Sequence, residues 1–421
     1  MDKFIIEGGK PLRGEVTISG AKNAALPILC SSILAQERCT YANIPKLRDI
    51  STITDVLATL GVHTESWQNN TLVLDPSGIH AFDAPYELVK SMRASILVLG
   101  PLLARFGKAK VSLPGGCSIG VRPIDMHLKA LAKMGADIAI SHGYVIASAQ
   151  GLTGARIVFD TPTVGGTENI MMAATLARGK TVIEGAAREP EIFDLACVLN
   201  KMGACIQGAG ESTITIDGVD SLNGVEYSII PDRIETGTFL VAAAITKGTL
   251  TLKNTRADQI SAIIDKLQDM GVEIRVENNN EIFVNGNHDL KAVQVETVPY
   301  PGFPTDMQAQ IMALACVAEG VSSITETIFE NRFMHVPELM RMGADLEERG
   351  PTVIVRGVRR FQGASVMATD LRASASLILA ALNASGHTEI RRIYHLDRGY
   401  EALDQKLKRI GADVVRERGT L

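Results

Sequence analysis

The sequence predicts an α/β protein of two domains, each containing three copies of one structural unit. Three observations predict this fold. The chain has 421 residues, which is more than one hydrophobic core usually organises. A short pattern recurs at intervals of 68 to 74 residues, as in proteins built from internal repeats. Helix-like segments of two kinds, one amphipathic and one apolar on all sides, alternate along the chain.

The recurring pattern is a hydrophobic residue, a glycine and a small residue at the end of each amphipathic segment. Its six glycines are Gly61, Gly135, Gly203, Gly271, Gly343 and Gly411. Glycine readily adopts the left-handed conformation that ends a helix, and a strand-like segment follows each of these glycines. In one such helix Leu128, Leu131 and Met134 form a single apolar stripe, which predicts that it lies on the surface of a core.

The second helix of each unit is apolar on all sides and is therefore expected inside a core. The clearest examples are residues 94–104, 170–177, 239–245 and 375–382. Polar residues precede these and the equivalent helices, namely Lys22, Asn23, Arg93, Glu168, Asn169, Asp232, Arg233, Asp306, Asp370 and Arg372. The aspartates suit N-caps, but a cation is unfavourable at the positive end of a helix. We therefore expect a site for an anionic ligand where these helix starts meet.

The repeats divide the chain into a first domain of residues 22–229 and a second domain of residues 1–21 and 230–421. The strand-like segments 4–6 and 16–18 are assigned to the second domain, because the last unit lacks strands after Val414 and Val415. The chain then crosses twice between the domains. Two crossings favour a hinge with a cleft for ligands.

Composition and charge limit the function classes. The sequence is 46% hydrophobic and 21% charged, with a net charge of −5 and a pI near 6.0. These values argue against nucleic acid as the main partner, since such proteins usually carry a basic excess. The longest apolar run, residues 95–104, is too short to span a membrane, and the first residues have no signal-peptide pattern. We expect a cytoplasmic protein without a membrane partner, and the acidic surface is compatible with a monomer.

The six cysteines show no zinc-binding spacing, so no metal is expected. Five of them lie within or beside apolar segments, where a free cysteine behaves as a small hydrophobic residue. Cys117 differs because it lies in the stretch SLPGGCSIGVRP, residues 112–123, with Arg122 five residues later. The glycines and prolines predict a loop, and the nearby arginine favours a reactive thiol. We expect this loop to act as a lid over bound substrates.

Seven motifs, spread between about residue 4 and residue 416, occur together in one known family. They are SGAKNAA (19–25), PGGCSIGVRP (114–123), AREPEI (187–192), PDRIETGTF (231–239), FPTD (303–306), ENRFMHVPEL (330–339) and DLR (370–372). Together they resemble the UDP-N-acetylglucosamine 1-carboxyvinyltransferases, which are enolpyruvyl transferases. The resemblance implies a two-domain inside-out α/β barrel, with a βαβαββ unit repeated three times in each domain around buried helices.

The resemblance also implies a reaction and its catalytic residues. Enolpyruvyl is transferred from phosphoenolpyruvate to the 3-hydroxyl of UDP-N-acetylglucosamine through a tetrahedral ketal, and phosphate is released. In bacteria this is the first committed step of peptidoglycan synthesis, and hence serves cell shape and division. The resemblance assigns proton donation to Cys117, proton acceptance to Asp306 and a catalytic cation to Lys22. It implies no cofactor, a covalent adduct derived from phosphoenolpyruvate on Cys117, and covalent inhibition by fosfomycin at that residue.

The substrates carry phosphate and carboxylate groups, which planar arginines bind well. By resemblance, phosphoenolpyruvate is bound by Lys22, Asn23, Arg122, Arg372 and Arg398. By resemblance, the nucleotide sugar is bound by Asn23, Arg93, Arg122, Pro123, Ile124, Asp125, Met126, Thr161, Pro162, Thr163, Val164, Asp306, Ile328 and Arg332. One departure concerns Thr161 and Pro162, which stand where many members have lysine and valine. A contact to the uracil or the diphosphate is expected to be weaker or replaced there.

Two alternative functions remain open. The sister enzyme that acts on shikimate 3-phosphate shares the architecture but lacks this Cys117 loop. A non-catalytic paralogue would bind the nucleotide sugar without turnover. The joint presence of Cys117, Asp306, Lys22 and Arg398 argues against that second alternative.

Overall fold

The computed structural model describes residues 2–65, 67–90, 92–113, 124–278 and 280–419. These residues form two compact units. The N-terminal unit contains residues 20–113 and 124–230, and the C-terminal unit contains residues 2–19 and 231–419. Three residues predicted for the site, Cys117, Arg122 and Pro123, lie outside the described ranges.

The chain begins with two strands of the C-terminal unit, β1 (Lys3–Glu7) and β2 (Arg13–Thr17). The N-terminal unit follows. Its helices are α1 (Lys22–Ser31), α2 (Arg48–Leu60), α3 (Tyr86–Val89), α4 (Leu99–Phe106), α5 (Asp125–Lys133), α6 (Val164–Ala174) and α7 (Pro190–Lys201). Its strands are β3 (Cys39–Ala42), β4 (His63–Thr64), β5 (Leu72–Asp75), β6 (Asp83–Ala84), β7 (Lys108–Ser112), β8 (Asp137–Ser141), β9 (Tyr144–Ser148), β10 (Arg156–Val158), β11 (Lys180–Glu184), β12 (Cys205–Gln207), β13 (Thr213–Asp217) and β14 (Glu226–Ser228).

The rest of the chain completes the C-terminal unit. Its helices are α8 (Arg233–Ile245), α9 (Ser261–Asp269), α10 (Gln308–Ala315), α11 (Val336–Arg341), α12 (Leu371–Asn383) and α13 (Leu403–Arg409). Its strands are β15 (Thr249–Lys253), β16 (Glu273–Asn278), β17 (Glu281–Asn285), β18 (Gln294–Thr297), β19 (Val321–Glu326), β20 (Asp345–Arg349), β21 (Thr352–Arg356), β22 (Ser365–Met367), β23 (His387–Arg391) and β24 (Asp413–Glu417).

The described strands form six four-stranded sheets with one shared topology. Their orders are β14-β3-β5-β4, β6-β7-β9-β8, β10-β11-β13-β12, β2-β15-β17-β16, β18-β19-β21-β20 and β22-β23-β1-β24. In each sheet the first pair in this order is parallel and the other two pairs are antiparallel. The predicted α/β class and sixfold repeat are therefore confirmed.

The first two strands belong to the C-terminal unit, as the sequence predicted. β1 lies between β23 and β24 and pairs antiparallel with both, while β2 pairs in parallel with β15. Phe4 and Ile6 of β1 are buried in the core of that unit. The start of the chain thus supplies the strand that the last repeat lacks.

The apolar helices form the cores, also as predicted. Helices α1, α4 and α6 lie in the core of the N-terminal unit, and α8, α10 and α12 contact one another in the C-terminal unit. Every residue of α8 and of α10 is buried. The six pattern glycines follow the amphipathic helices and all have positive φ, between 89° and 110°. None of the helices in the described ranges is both long and apolar enough to cross a membrane.

One core helix differs from its prediction. Residues 94–104 were expected to form a single helix, but Arg93–Val98 is a 3₁₀ helix and the α-helical part, α4, begins at Leu99. Proline at position 101 explains the change. Pro101 has no N–H to donate to the carbonyl of Leu97, and its ring crowds that carbonyl. The preceding turn therefore adopts the tighter 3₁₀ geometry.

The sequence placed five cysteines within or beside apolar segments, but not all five are buried in the structure. Cys30, Cys39 and Cys316 are buried, and burial raises the pKa of each thiol. Cys205 is exposed. It begins β12, along which exposed and buried residues alternate, so one face of that strand points to solvent. The apolar neighbours of Cys205 in sequence therefore did not predict its exposure.

Candidate active site

In the C-terminal unit, a charged cluster surrounds Asp306 at the start of a core helix. Asp306 lies in the 3₁₀ turn Thr305–Met307, which leads directly into α10. Nη2 of Arg332 lies 2.7 Å from Oδ1 of Asp306, and Nη2 of Arg372 lies 2.7 Å from Oδ2. Both arginine side chains are 6% exposed, whereas the Asp306 side chain is 24% exposed. One carboxylate thus bridges two buried guanidinium groups.

The charges of this cluster reinforce one another. Burial raises the pKa of Asp306, but the attraction and hydrogen bonds of Arg372 and Arg332 outweigh it and hold that pKa well below its usual value. Burial lowers the pKa of Arg372, and the Asp306 carboxylate outweighs this effect, so that pKa is raised. Asp306 therefore strongly favours its ionised form. Two cations share one anion, and the surplus positive charge suits an anionic ligand.

Tyr400, whose side chain is buried, contacts the first turns of α10 and α12 and the second turn of α8. Its hydroxyl oxygen lies 2.8 Å from Oγ1 of Thr238 in α8, 3.3 Å from Nε2 of Gln310 in α10 and 3.5 Å from Nη1 of Arg372 in α12. Arg398 ends the 3₁₀ turn Ile393–Arg398, two residues before Tyr400. The starts of α10 and α12 therefore meet, as predicted, and α8 joins them through its second turn.

Two of the aspartates at helix starts are N-caps. Oδ1 of Asp232 accepts hydrogen bonds from the backbone N–H groups of Ile234 and Glu235, and Oδ1 of Asp370 accepts those of Arg372 and Ala373. These bonds satisfy N–H groups that lack partners within the helix. The ordinary interpretation of an aspartate before a helix is thus correct at both positions.

A buried glutamate holds the segment that carries Ile328 and Arg332. Oε1 of Glu326 accepts hydrogen bonds from the backbone N–H groups of Ile328, at 2.8 Å, and Phe329, at 3.2 Å. Oε2 of Glu326 accepts the hydroxyl of Thr305 at 2.8 Å. Nη1 of Arg332 in turn donates to Oγ1 of Thr305 at 2.9 Å. Thr305 lies in the FPTD motif, but no motif in the sequence indicated Glu326 as part of this cluster.

In the N-terminal unit, cations lie at the starts of two core helices. Lys22 is the first residue of α1, and its Nζ lies 3.6 Å from Oδ2 of Asp49 in α2. The two side chains are 13% and 5% exposed. The nearby carboxylate offsets the cost of placing a lysine at the positive end of a helix. Arg93 begins the 3₁₀ helix before α4, and Asn23 follows Lys22.

The start of α6 lies against a buried histidine. Thr163 is the N-cap, and its Oγ1 accepts the N–H of Gly166. Asn169 accepts the N–H of Gly100 and donates through Nδ2 to the Ile96 carbonyl, which fixes its amide orientation. Nδ1 of His127 lies 3.1 Å from the same Nδ2 and must therefore accept, which places the ring proton on Nε2.

His127 is neutral because it is buried. Burial lowers its pKa to about 4, and the positive charge of Arg93 acts in the same direction. A Cβ atom added at Gly165, in the first turn of α6, would lie 3.4 Å from Cε1 of the His127 ring. The histidine therefore presents a neutral Nε2–H group beside this helix start.

A buried carboxyl group lies further along α6. Burial raises the pKa of Glu168 well above its usual value, and the negative charges of Glu191 and Glu189 add to the effect. This environment favours the neutral carboxylic acid. The same residue contributes to the raised pKa of the buried Cys30 thiol.

Known proteins are similar to this chain over almost its whole length. A family model described as EPSP synthase (3-phosphoshikimate 1-carboxyvinyltransferase) matches residues 6–407. The UDP-N-acetylglucosamine 1-carboxyvinyltransferases of Geotalea uraniireducens and Desulfosudis oleivorans are 59% and 60% identical over 416 residues, covering 99% of both chains. That of Myxococcus xanthus is 56% identical over 420 residues, covering 99% of this chain and 100% of the relative. The chain belongs to the UDP-N-acetylglucosamine 1-carboxyvinyltransferase family.

Solved structures share the fold of this chain. The enolpyruvyl transferase NikO from Streptomyces tendae has a TM-score of 0.90 at 26% identity, covering 99% of this chain and 98% of its own. The EPSP synthase of Acinetobacter baumannii has a TM-score of 0.80 at 20% identity, covering 99% of this chain and 100% of its own. The enolpyruvyl transferase fold predicted from the sequence is confirmed.

The predicted site residues differ from one another in burial and in contacts. Those at positions 306, 332 and 372 form one contact cluster, to which Ile328 is linked through Glu326. Ile124 is buried, Asp125 pairs with Lys129 at 3.0 Å, and Thr161 and Pro162 are exposed. Sequence reasoning missed Asp49, Glu326 and Tyr400. Asp49 contacts Lys22, Glu326 contacts Thr305 and Tyr400 contacts Arg372, and in each pair the two residues are distant in sequence.

Proposed function

We propose that the chain transfers the enolpyruvyl group of phosphoenolpyruvate to the 3-hydroxyl of UDP-N-acetylglucosamine and releases phosphate. Its relatives that are 56–60% identical over 99% of the chain are named for this activity. The observation that carries the proposal is the Asp306 carboxylate bound by two buried arginines, where the starts of α10 and α12 meet. Such a site offers both a proton acceptor and cations for an anionic substrate.

The proposed reaction has two steps. In the addition step, a proton joins the methylene carbon of phosphoenolpyruvate, the sugar oxygen bonds to the neighbouring carbon, and the hydroxyl proton leaves. In the elimination step, the bond between that carbon and the phosphate oxygen breaks, and loss of a methyl proton restores the double bond. We assign Cys117 as the proton donor of the addition step and Asp306 as the acceptor of the hydroxyl proton. Lys22 supplies a catalytic cation.

The surroundings of Asp306 imply that substrates control its basicity. A carboxylate between two guanidinium groups binds a proton weakly. When the carboxylate or phosphate of a substrate competes for Arg332 or Arg372, Asp306 loses part of this stabilisation. Its pKa then rises, and it becomes a stronger base when the hydroxyl is present. The acceptor is thus activated by the binding of an anionic substrate.

The remaining assignments follow the family. Phosphoenolpyruvate is bound by Lys22, Asn23, Arg122, Arg372 and Arg398. The nucleotide sugar is bound by Asn23, Arg93, the segment 122–126, the segment 161–164, Asp306, Ile328 and Arg332. Thr161 and Pro162 replace a lysine and valine found in many members, so we expect a weaker contact to the uracil or the diphosphate there. Cys117 also forms a covalent adduct derived from phosphoenolpyruvate, and no other cofactor is required.

The cellular role proposed from this reaction is the first committed step of peptidoglycan synthesis. That role implies a cytoplasmic enzyme that serves cell shape and division. We propose that it acts as a monomer whose functional domains are residues 22–229 and residues 1–21 with 230–421. No nucleic acid or membrane partner is required for the reaction.

The decisive experiment measures phosphate release from phosphoenolpyruvate with UDP-N-acetylglucosamine, with shikimate 3-phosphate and without acceptor. We expect release only with UDP-N-acetylglucosamine, and a decrease of roughly 100-fold or more in Cys117→Ser because a proton donor is lost. Phosphate release with shikimate 3-phosphate but not with UDP-N-acetylglucosamine would instead establish the sister activity. Binding of the nucleotide sugar without any release would identify a non-catalytic paralogue.

Fosfomycin provides a second test of the role of Cys117. We expect one covalent addition by mass spectrometry on the wild type and none on Cys117→Ser. Cys205→Ser is a matched control, because Cys205 is an exposed thiol. Labelling that disappears in Cys205→Ser rather than in Cys117→Ser would contradict the assignment.

A further inference from the structure

Glu326 is a buried carboxylate that ends β19 and accepts four hydrogen bonds. Glu326 is only 4% exposed. Oε1 accepts the hydroxyl of Thr297 at 2.8 Å and the N–H groups of Ile328 and Phe329. Oε2 accepts the hydroxyl of Thr305 at 2.8 Å. A buried carboxylate with a full set of donors is held rigidly in one orientation.

The hydrogen-bond directions around Thr305 are determined by its two partners. Arginine can only donate, so Oγ1 of Thr305 must accept the bond from Nη1 of Arg332. The single hydroxyl proton of Thr305 is then left for Oε2 of Glu326. Glu326 therefore decides which way the Thr305 hydroxyl points, and hence that its oxygen is available to Arg332.

This arrangement extends to the predicted base. The guanidinium of Arg332 is planar and rigid, so fixing Nη1 on Thr305 also fixes Nη2, which lies 2.7 Å from Oδ1 of Asp306. Glu326 also anchors the N–H groups at the start of the segment that carries Ile328 and Arg332. One side chain thus orients both the arginine and the backbone that bears it.

We propose that Glu326 is a positioning residue for the reaction, which acts through Thr305 and Arg332 to align the Asp306 carboxylate. This inference rests on the proposed function, in which Asp306 accepts the hydroxyl proton. Glu326 itself is linked to Asp306 only through intermediate side chains. Its effect is therefore expected on turnover and on the titration of Asp306 rather than on chemistry at Glu326.

The test is Glu326→Gln in the full chain. If the glutamine oxygen keeps the three donors of Oε1, its amide nitrogen faces Thr305 and donates to it. The Thr305 proton then turns toward Arg332, and two donors face each other. We expect kcat/KM for phosphoenolpyruvate to fall about 10- to 100-fold, the effect of losing a hydrogen bond to a charged group. The acidic limb of the pH profile should move to higher pH, because Asp306 loses one of its two cations.

A pair of Thr305 variants tests the same path without changing the buried charge. Thr305→Val removes the hydroxyl at nearly constant shape and should reproduce the loss and the pH shift. Thr305→Ser keeps the hydroxyl, so its kcat/KM and pH profile should stay near the wild-type values. The double variant Glu326→Gln with Thr305→Val should lose no more kcat/KM than the more impaired of the two single variants, because the two residues act in series.

Ser322→Ala is the matched control. Ser322 lies on the same strand, is buried, and its Oγ accepts the N–H of Val293 rather than a group of the Asp306 cluster. We expect Ser322→Ala to lower the stability of the protein but to leave kcat/KM and the pH profile as in the wild type. A folded Glu326→Gln enzyme with wild-type kcat/KM and pH profile would overturn the inference, and so would equal activity of Thr305→Val and Thr305→Ser. Where Glu326→Gln does not fold, the Thr305 pair decides.

Failure of the proposed function gives a different result. A wild-type chain that releases no phosphate with UDP-N-acetylglucosamine would overturn the proposed function and, with it, the positioning role. A wild-type chain that turns over while the variants show no loss would overturn the positioning role alone. The wild-type assay therefore separates the two outcomes.

Discussion

Asp306 carries one negative charge between the guanidinium groups of Arg332 and Arg372, whose side chains are 6% exposed. Removing one member of a buried ion pair is costly because the remaining charge loses its compensation. Here two cations would lose a shared partner. The lowered pKa of Asp306 expresses the same interaction as a preference for the ionised carboxylate.

We predict that Asp306→Asn abolishes phosphate release and lowers the free energy of unfolding by about 3 kcal/mol at neutral pH. The pKa of Asp306 is lower in the folded chain than in the unfolded chain, so its contribution is fully present above the unfolded value of about 4. The contribution is lost as the pH falls through the lower, folded value. Urea unfolding at a series of pH values should therefore show the difference from wild type shrinking below about pH 4.

Asp289→Asn provides the control for this series. Asp289 pairs with Lys247 at 3.1 Å, but its side chain is 94% exposed. A solvent-exposed pair contributes little, so this variant should leave the free energy of unfolding almost unchanged. If Asp306→Asn lowers the free energy of unfolding by the same amount down to acidic pH, the ionised form of Asp306 is not the source of that stabilisation.

At the scale of the elements, the repeated unit depends on the glycine that ends each amphipathic helix. The sequence predicted all six of these positions because left-handed backbone is a local requirement that glycine meets without strain. The surroundings of the six glycines are not equivalent, however. A Cβ atom at Gly61 would lie 2.3 Å from the carbonyl oxygen of Gly78, whereas one at Gly135 would have Oγ1 of Thr153 as its nearest neighbour, at 3.7 Å.

We predict that Gly61→Ala destabilises the N-terminal unit clearly more than Gly135→Ala. Both residues have positive φ, 100° and 94°, so each alanine pays the strain of left-handed backbone, about 1–2 kcal/mol. Only Gly61→Ala adds a collision with backbone. Urea unfolding of the two variants measures the difference. Equal losses would show that conformational strain alone governs these positions.

At the scale of the whole molecule, the chain leaves one unit and returns to it. Residues 2–19 and 231–419 form the C-terminal unit, with residues 20–113 and 124–230 between them. The two passages run side by side: the N–H of Asp232 donates to the Ser19 carbonyl, and the N–H of Ala21 donates to the Ile230 carbonyl. The C-terminal unit therefore cannot be completed without the start of the chain, because β1 is an inner strand of its last sheet.

We predict that deleting residues 1–18 unfolds the C-terminal unit and leaves the N-terminal unit folded. The deletion removes β1 and β2 and the buried side chains of Phe4, Ile6, Leu12 and Val16. Hydrogen exchange should show loss of protection in residues 231–419 and retained protection in residues 20–113 and 124–230. Deleting residues 418–421, which follow β24, is the control and should preserve both. Unchanged protection in the C-terminal unit would contradict the role of β1.

The sequence by itself determined the repeated unit, the two kinds of helix and the polar residues at the helix starts. These features depend on local rules: a glycine ends a helix, an apolar stripe marks a surface helix, and polar groups collect where helix N–H groups need partners. Its motifs also indicated the family, and the high identity of the relatives confirmed it.

Only the tertiary structure decided which charges meet. Arg332 and Arg372 lie 26 and 66 residues from Asp306 along the chain, and no local pattern encodes their shared contact. The tautomer of His127 and the path from Glu326 to Arg332 likewise depend on hydrogen bonds between distant elements. The protonation and orientation of a buried group are set by the partners that packing brings to it, and those partners are chosen by the fold rather than by neighbouring residues.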